Sequence, residues 1–329
     1  MSATAIPLFF VLLPGSLILD WAGPAEAFRI ANQVLQAQQQ PPRFELRFIG
    51  PQGAPATSVG LKVTGVEPLP AQLPSPSWLV LVGMPGRRFD LQQPGAAETV
   101  RWLRGLAPGR DGLRLVTICA GALLAAHAGL LEGRRATTHH HHLDELRSVA
   151  AGCDVVANRV FVLDEPVASS AGITTGIDLA LHLIAQECGA ALASQVAQIM
   201  VVALRRGPQD PELSPFLAYR NHIHPALHRV QDAVSAQPQR DWNVPRMADV
   251  GHTSPRHLTR LFIDHAGAPP LEYLRRIRLA VAQAALESGR SVTQAAELAG
   301  FSSDTQLRRT WRQFGVGGRP SDTALLQNP

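Results

Sequence analysis

Cysteine is scarce in this sequence of 329 residues, and the three that are present show no pairing pattern. Cys119, Cys153 and Cys188 form no C-x-x-C motif and are odd in number, which argues against a disulfide framework and against a zinc module. Unpaired cysteines are typical of a reducing compartment, so the predicted location is the cytoplasm.

Long apolar segments and an N-terminal positive charge are also lacking. The first apolar run, residues 6–13, is interrupted by Pro14-Gly15, and no Lys or Arg precedes Arg29. A signal peptide begins with positive charge, and a membrane span needs about 20 apolar residues. We therefore expect no membrane partner, and we interpret residues 6–13 as a buried first strand.

An excess of charge is absent from the first two thirds of the chain. Residues 1–210 contain 16 Lys+Arg and 16 Asp+Glu, whereas residues 211–329 contain 14 and 10, so the whole net charge of +4 lies in the C-terminal part. The overall composition, with 46% hydrophobic and 17% charged residues, is that of a globular protein. A neutral part followed by a basic part is typical of a nucleic-acid reader joined to a domain with another task.

Short apolar runs alternate with helical stretches in the N-terminal part. The apolar runs are residues 6–13, 44–49, 78–82 and 113–118. Runs without polar alternation are typical of strands buried on both faces. The helical stretches are residues 24–39, which begin with Pro24, 99–106 and 120–131. The pattern predicts an α/β, doubly wound parallel sheet.

The residues that follow each strand are candidates for a site, because ligands bind beyond the carboxyl ends of the strands in such sheets. Asp20 and Glu26 follow the first strand, Gly86 the third, and Cys119 with Ala120 the fourth. Cys119 would lie on a strand-to-helix elbow, where a helix N-terminus lowers a thiol pKa. The alternatives are a small buried apolar side chain for Cys119, a loop carboxylate or helix cap for Asp20, and a first-turn charge for Glu26.

Four histidines occur in succession, from His139 to His142. Successive side chains point in different directions on a regular element, and ligands on one helix face need a spacing of three or four residues. His139 and His142 have that spacing, but nothing in the sequence completes a tetrahedron. We predict no metal and no cofactor, and we interpret the run as a polar pocket edge, with His139 in the pocket, or as the start of a surface helix.

A pattern that occurs twice occupies the C-terminal third. Val244-Pro-Arg-Met-Ala-Asp-Val-Gly251 leads to Ser254-Pro-Arg-His-Leu-Thr-Arg-Leu-Phe262, and Val292-Thr-Gln-Ala-Ala-Glu-Leu-Ala-Gly300 leads to Ser303-Asp-Thr-Gln-Leu-Arg-Arg-Thr-Trp311. Each copy predicts a short helix, a glycine turn and an amphipathic helix, which is the helix-turn-helix pattern. Two copies predict two helices that contact double-stranded DNA.

The two copies differ in spacing and in their outward residues. Six positions separate Ala248 from Ser254, but seven separate Ala296 from Ser303. Apolar stripes at Leu258, Leu261 and Phe262 and at Leu307, Trp311 and Phe314 leave opposite faces for DNA. The outward residues are Arg256, Thr259, Arg260 and Ile263 in the first copy, and Asp304, Thr305, Arg308, Arg309 and Arg312 in the second. Each arginine either pairs with guanine or contacts phosphate or solvent.

Four segments of the N-terminal part resemble the class I glutamine-amidotransferase-like, PfpI-type superfamily. They are Leu17-Ile-Leu-Asp-Trp-Ala-Gly-Pro-Ala-Glu-Ala-Phe28, Cys119-Ala-Gly-Ala-Leu-Leu-Ala-Ala-His-Ala-Gly-Leu-Leu-Glu-Gly133, Arg135-Ala-Thr-Thr-His139 and Ser170-Ala-Gly-Ile-Thr-Thr-Gly-Ile-Asp-Leu-Ala-Leu181. The resemblance covers about residues 5 to 190. It implies a flavodoxin-like sandwich with a pocket around an elbow cysteine.

The segments that resemble this superfamily lack some of the catalytic residues of its enzymes. PfpI-type peptidases follow the cysteine with His-Gly, where this chain has Ala120-Gly121, and the H-x-E motif of glutaminases is missing downstream. Isonitrile hydratase has an Asp and an elbow Cys that match Asp20 and Cys119, but the Thr after its cysteine is Ala120 here. We favour a non-enzyme, and a cysteine-dependent enzyme of the isonitrile-hydratase type, with Cys119 and Asp20 as catalytic candidates, is the alternative.

From Pro225 to about Asp322 the sequence resembles the AraC/XylS family of transcription regulators. Pro270-Leu-Glu-Tyr-Leu-Arg-Arg-Ile-Arg-Leu-Ala-Val-Ala-Gln-Ala-Ala-Leu286 is similar to the long connecting helix of that family, and Gly300-Phe301 with Ser303 and Arg309 matches its diagnostic turn. By family position, the base-contacting residues are Asp304, Thr305, Gln306 and Arg309. The segment Gly315-Val-Gly-Gly-Arg-Pro-Ser-Asp322 departs from the family's ending, so no final helix is predicted.

Three prolines, Pro208, Pro211 and Pro215, predict a break between two domains. The expected organisation is a ligand-sensing domain at 1–190, a connector at 191–224 and a DNA-binding domain at 225–329. The connector is also a candidate homodimer contact. The predicted function is that of a DNA-binding transcription regulator, an activator, controlled by an unidentified small-molecule effector.

Overall fold

The computed structural model describes residues 5–202, 206–208, 219–220, 222–287, 289–314 and 320. The chain divides into two compact units, Met1–Glu212 and Leu213–Pro329. Among the described residues, no helix combines the length and the apolar character that crossing a membrane requires.

A mostly parallel sheet of seven strands forms the centre of the first unit. The described residues of this unit form nine strands, two of which, β6 and β7, lie outside the main sheet. In chain order they are β1 (Ile6–Val11), β2 (Phe44–Gly50), β3 (Glu67–Pro68), β4 (Ser77–Leu81), β5 (Leu113–Ile118), β6 (Arg135–Ala136), β7 (Asp154–Val155), β8 (Phe161–Asp164) and β9 (Val167–Ser170). The order across the sheet is β3-β2-β1-β4-β5-β9-β8, and β6 pairs separately with β7. Only β8 and β9 run antiparallel among these pairs. The carboxyl ends of β1, β4, β5 and β9 therefore lie side by side.

Six helices cover both faces of this sheet. They are α1 (Ile18–Ala37), α2 (Ala96–Leu103), α3 (Gly121–His127), α4 (Leu143–Val149), α5 (Thr175–Cys188) and α6 (Ala190–Ile199). Alternate residues of β1 face opposite sides: Leu8 and Phe10 pack with α1, α5 and α6, while Phe9 and Val11 pack with α2, α3 and α4. The predicted α/β flavodoxin-like sandwich is confirmed.

The predicted start of the first helix at Pro24 is wrong, since α1 begins at Ile18 and Pro24 lies inside it. Tertiary hydrogen bonds determine this earlier start. The Leu17 N–H donates to the Gly83 carbonyl at 2.9 Å, and the Asp20 carboxylate accepts from two distant backbone N–H groups. Local composition carries no trace of such partners.

Helix α6 falls within the predicted connector, yet it packs in the core of the first unit. Its buried residues are Leu192, Ala193, Val196 and Ala197, which join the cluster formed by α1 and α5. Residues 203–205, 209–218 and 221 of the predicted connector lie outside the described part of the chain. The predicted domain limits stay a prediction.

The regular secondary structure of the second unit is helical among its described residues. Its helices are α7 (Pro225–Ala236), α8 (Val244–Gly251), α9 (Pro255–Leu261), α10 (Pro270–Glu287), α11 (Val292–Ala299) and α12 (Asp304–Gln313), with a π-helical turn, Phe262–Ala266, after α9. Tyr273 and Ile277 of α10 belong to the first of two cores, and Leu279 and Ala282 of the same helix belong to the second. The predicted pair of helix-turn-helix units, joined by a long helix, is confirmed. The unusual ending at 315–322 lies outside the described residues, apart from Pro320.

Candidate functional site

Cys119 lies on a sharp elbow between β5 and α3, with a backbone φ of +56°. Three glycines let the backbone enclose this residue. A Cβ on Gly121 would lie 2.2 Å from the Leu81 carbonyl oxygen, one on Gly172 would lie 2.6 Å from the Cβ of Cys119, and one on Gly83 would lie 2.9 Å from the same atom. Cys119 is therefore only 4% exposed.

Asp20 lies beneath the elbow and is fully buried. Its Oδ2 accepts the Gly83 N–H at 3.0 Å, its Oδ1 accepts the Ile173 N–H at 3.0 Å, and the thiol of Cys119 donates to the same carboxylate. The donors follow β4, β9 and β5, and Asp20 itself follows β1. One carboxylate thus joins the carboxyl ends of four neighbouring strands.

The electrostatics of this pair are determined mainly by the burial of its carboxylate. Burial raises the pKa of Asp20 to about 6, against the lowering effect of its hydrogen bonds to Gly83, Ile173 and Cys119. Burial also raises the pKa of the Cys153 thiol to about 11 and raises that of the Cys188 thiol.

The remaining predicted pocket residues are distributed unevenly around the elbow. Ala120 is buried beside Cys119, and Gly86 is exposed on the loop that follows β4. His139 is half-buried and follows Thr138, whose hydroxyl donates to the Cys119 carbonyl at 2.8 Å. Glu26 lies on the exposed face of α1, where Arg29 donates to both of its carboxylate oxygens. The binding roles of these residues stay predictions.

Sequence reasoning missed the backbone donors that hold Asp20. Ile173 is a β-branched residue with a φ of +44°, a conformation that costs about 1 to 3 kcal/mol and persists only where the surroundings impose it. Its N–H bond to Asp20 supplies that constraint. The available signal was the run Ala171-Gly172-Ile173 directly after β9, the neighbour of β5 in the sheet.

Arg206 binds the helix that begins just after Ile173. Its Nη2 lies 2.6 Å from Oδ2 of Asp178, and the same nitrogen donates to the Thr174 hydroxyl at 3.0 Å. Asp178 is almost fully buried in the first turns of α5. Arg206 lies in the segment that follows α6, and it bonds to Thr174. Thr174 is the residue next to Ile173, whose N–H donates to Asp20.

The histidine run has a geometry that differs from the expectation. His139 is extended and His140–His142 form a 3-10 turn, so one ring nitrogen each from His139, His140 and His141 lie within 4.8 Å of one another. The expectation of diverging side chains is wrong for these three residues. His142 is buried instead, with its Nδ1 2.9 Å from Oε2 of Glu145. Burial is the main cause that lowers the pKa of His139 to about 4.

In the second unit, both predicted reading helices begin at capping serines. The Ser254 hydroxyl accepts the His257 N–H at 3.2 Å at the start of α9, and the Ser303 hydroxyl accepts the Gln306 N–H at 3.2 Å at the start of α12. Leu258 of α9 is fully buried on the inner face. The predicted caps and apolar stripes are confirmed, although Phe314 is only half-buried.

The outward residues of these helices fall into two groups. Some are held by neighbours: Asp304 accepts from the Thr293 hydroxyl at 3.1 Å, and the Gln306 amide oxygen accepts the Ser302 N–H at 2.7 Å. The exposed guanidinium groups of Arg256, Arg308 and Arg309 form no ion pair with any residue that the structure describes. Thr259 is half-buried, while Arg260 and Thr305 are exposed. These surfaces carry positive charge that no described carboxylate neutralises.

The turns of the two units are built differently. Gly300 adopts a φ of +79° after α11, but the corresponding left-handed residue after α8 is His252, with a φ of +52°. The prediction of a glycine turn at Gly251 is wrong, because this glycine is the last residue of α8. It is buried there, and a Cβ would lie 3.2 Å from a methyl group of Val230.

Comparisons with known proteins give a family match in each of the two units. A model of the helix-turn-helix domain matches residues 247–323, and a model of the DJ-1/PfpI family matches residues 77–186. The chain is similar over nearly its whole length to HTH-type transcriptional regulators. Among them, GlxA of Rhizobium meliloti is 30% identical over 307 residues, which cover 93% of this chain and 91% of GlxA.

Two further similarities cover only part of the chain. The crystal structure of an AraC family transcriptional regulator from Pseudomonas putida covers 59% of this chain and 99% of its own, with a TM-score of 0.50 and 22% identity, which shows a shared fold. Isonitrile hydratase of Pseudomonas putida is 37% identical over 97 residues, 30% of this chain and 40% of that enzyme. The enzymatic similarity is thus confined to a part of each protein.

Proposed function

Because this chain belongs to the HTH-type transcriptional regulators that combine a DJ-1/PfpI domain with an AraC-type helix-turn-helix domain, we propose that it activates transcription in response to a small molecule bound at the Cys119 elbow. DNA binding by the helix-turn-helix unit follows from the family. The effector, its site and the activating effect are the proposed elements. None of the described cysteines forms a disulfide, which supports a cytoplasmic location as part of the same proposal.

The exposed arginines of α9 and α12 are the observation that assigns DNA binding to particular residues. Both helices are capped at their N-termini and fixed by buried apolar residues, so their outer faces are rigid. An arginine that pairs bidentately with guanine contributes about 1 to 3 kcal/mol of discrimination between bases. We propose that Arg256, Arg260, Arg308 and Arg309, with Thr259 and Thr305, form this surface. Asp304 and Gln306 contribute by holding the turn.

In the first unit, we assign Asp20 a positioning role. The carboxylate is fully buried and already accepts from Gly83, Ile173 and Cys119, so it acts on a ligand through these groups. The proposed contacts are Gly86, Cys119, Ala120 and His139. Glu26 is left out because its carboxylate is bonded to Arg29.

The proposed coupling route begins at the same carboxylate. A ligand that displaces Ile173 changes the start of α5, where Thr174 and Asp178 hold Arg206. Arg206 lies in the segment predicted to connect the sensing and DNA-binding domains, which is also the candidate homodimer contact. A change at the elbow thereby reaches the chain shortly before the second unit begins.

An enzyme of the isonitrile-hydratase type is the second candidate function, supported by the matching Asp20 and Cys119. The absence of a hydroxyl at Ala120 argues against it. If the chain is such an enzyme, Cys119→Ala abolishes turnover of an isonitrile. If it is a sensor, no turnover is measured in either protein, and the variant alters only the response of transcription.

The test of the main proposal is fluorescence anisotropy with DNA from upstream of its own gene and with shuffled DNA of the same composition. Binding should weaken steeply with salt for both, and the upstream DNA should be preferred by at least about tenfold at each salt concentration. Arg309→Ala should reduce that preference, whereas the control Arg101→Ala, an exposed residue of α2, should leave it unchanged. Equal affinity for both DNAs would overturn the proposal.

Activation is tested separately with a reporter gene placed behind the same upstream DNA. Deletion of the regulator should lower expression, and Arg309→Ala should lower it to the same level. Higher expression after deletion would identify a repressor instead.

A further inference from the structure

The three histidines whose ring nitrogens converge lie outside the machinery assigned to DNA binding. One nitrogen each from His139, His140 and His141 lie within 4.8 Å of one another, and the ring centroids of His139 and His140 are 4.1 Å apart. In a tetrahedral zinc site with Zn–N bonds of about 2.1 Å, the nitrogens are about 3.4 Å apart. Small side-chain rotations close the remaining gap.

Both ends of this run are fixed to the body of the first unit. On one side, Thr138 is fully buried and donates to the Cys119 carbonyl at 2.8 Å. On the other, buried His142 bonds to one carboxylate oxygen of Glu145, and the other oxygen accepts the Phe89 N–H at 2.8 Å. The turn between these anchors is therefore held in one place, unlike a histidine run in a loose tail.

We propose that His139, His140 and His141 bind one divalent transition-metal ion, with Zn²⁺ as the representative ion. Three imidazole nitrogens are a donor set that suits Zn²⁺, Cu²⁺ and Ni²⁺, whereas Ca²⁺ and Mg²⁺ require oxygen ligands. Three protein ligands leave one position of a tetrahedron for water or another small ligand. The site is next to the elbow, because His139 directly follows the residue that bonds to Cys119.

A second group of histidines provides a matched control. In the second unit, the His222 ring lies 4.8 Å from the His228 ring and 6.1 Å from the His265 ring, and His224 lies 5.4 Å from His265. Among the described residues, only the group at 139–141 brings three ligand atoms together. The other group tests whether clustering of rings alone is enough to bind the ion.

The experiment uses the full chain, purified without a histidine tag and freed of metal with a chelator. Zn²⁺ is titrated in competition with a chromophoric chelator, and circular dichroism checks that each variant is folded. The wild type and the control His222→Ala/His224→Ala should each bind one equivalent, and His140→Ala/His141→Ala should lose it. Co²⁺ should give the intense visible absorption of a tetrahedral site in the wild type and lose it in the same variant.

Three outcomes would overturn the inference. The wild type binds no equivalent of Zn²⁺, the folded His140→Ala/His141→Ala variant retains it, or the control variant loses it. Because the readout is metal binding by the purified chain, none of these results bears on DNA recognition.

Discussion

Asp20 is completely buried and accepts three hydrogen bonds, and these two features have opposite effects on its pKa. Each bond favours the carboxylate, but desolvation exceeds them and leaves a pKa of about 6. The group is thus partly protonated slightly below neutral pH, in a position that joins the backbones of Gly83 and Ile173. Its protonation is coupled to folding of the first unit.

Stability of the first unit should fall as pH rises through the range in which Asp20 loses its proton. The unfolded chain releases this proton near the ordinary pKa of 3.8, but the folded chain keeps it to about 6. Between about pH 4 and about pH 7, the wild type should lose about 3 kcal/mol of unfolding free energy relative to Asp20→Asn, since each pKa unit corresponds to about 1.4 kcal/mol. Urea denaturation at a series of pH values measures this difference.

Asp144→Asn is the control, because Asp144 is exposed and pairs with Arg147 on the surface. Its difference from the wild type over the same range measures the contribution of a surface carboxylate. A change of the same size for Asp20→Asn would contradict the effect of burial on Asp20.

Gly172 should tolerate no side chain. Its φ is +113°, and an added Cβ would lie 2.6 Å from the Cβ and 2.7 Å from the sulfur of Cys119. We expect Gly172→Ala to destabilise the first unit by about 3 kcal/mol or more, since strain and a close contact add together. Gly60→Ala separates these causes: Gly60 has a φ of +82° with nothing within 4 Å, and strain alone costs about 1 kcal/mol. Thermal unfolding compares the two, and equal losses would contradict the close contact.

At the scale of elements, the two helix-turn-helix units have one pattern but different turns. Gly300 is closely surrounded, since a Cβ there would lie 2.4 Å from the Cα of Gln239, whereas His252 is exposed and carries its side chain in the left-handed region. A glycine is thus required in the second turn for space as well as for φ. In the first turn, a non-glycine residue adopts the same conformation at some cost.

Opposite substitutions in the two turns should therefore have opposite signs. His252→Gly should stabilise the second unit by about 0.5 to 1 kcal/mol, because glycine adopts a positive φ without strain. Gly300→Ala should destabilise it by about 3 kcal/mol, because the contact is with backbone. Hydrogen–deuterium exchange in peptides from residues 225–313 follows unfolding of this unit. A loss of stability in His252→Gly would contradict the assigned strain.

The elements that the sequence predicted well are those whose signal is local. The apolar runs at 44–49 and 113–118 became β2 and β5, and Ser254 and Ser303 cap α9 and α12 as expected. The start of α1 and the hydrogen bonds from Gly83 and Ile173 depend on residues far along the chain. The convergence of His139 with its neighbours depends on an extended residue before a tight turn. Local patterns contain no information on these contacts.

At the scale of the whole molecule, arginine supplies almost all positive charge. Lys62 is the single lysine of the sequence, and it is exposed in the first unit. The guanidinium groups of the second unit present a planar, fixed pair of donors that matches guanine and phosphate, and an ammonium group lacks this geometry. DNA binding should therefore depend on one chemical type of cation.

Selective chemical modification tests this dependence. Acetylation of amines alters only Lys62 and the amino terminus, so DNA affinity should stay unchanged. Phenylglyoxal, which modifies arginine, should lower affinity by at least about tenfold through lost phosphate and base contacts, and excess DNA should protect against it. A loss of affinity after acetylation would place an amine in the interface.

The partners of Asp20 also determine when the elbow can form during protein synthesis. Gly83 and Ile173 lie 63 and 153 residues after Asp20, so no shorter nascent chain contains the complete set of bonds. The ribosome adds Ile173 before Leu213, the first residue of the second unit, and domains fold as units with the N-terminal one first. Every newly made helix-turn-helix unit therefore emerges behind a first unit that already contains all the residues needed to close its elbow.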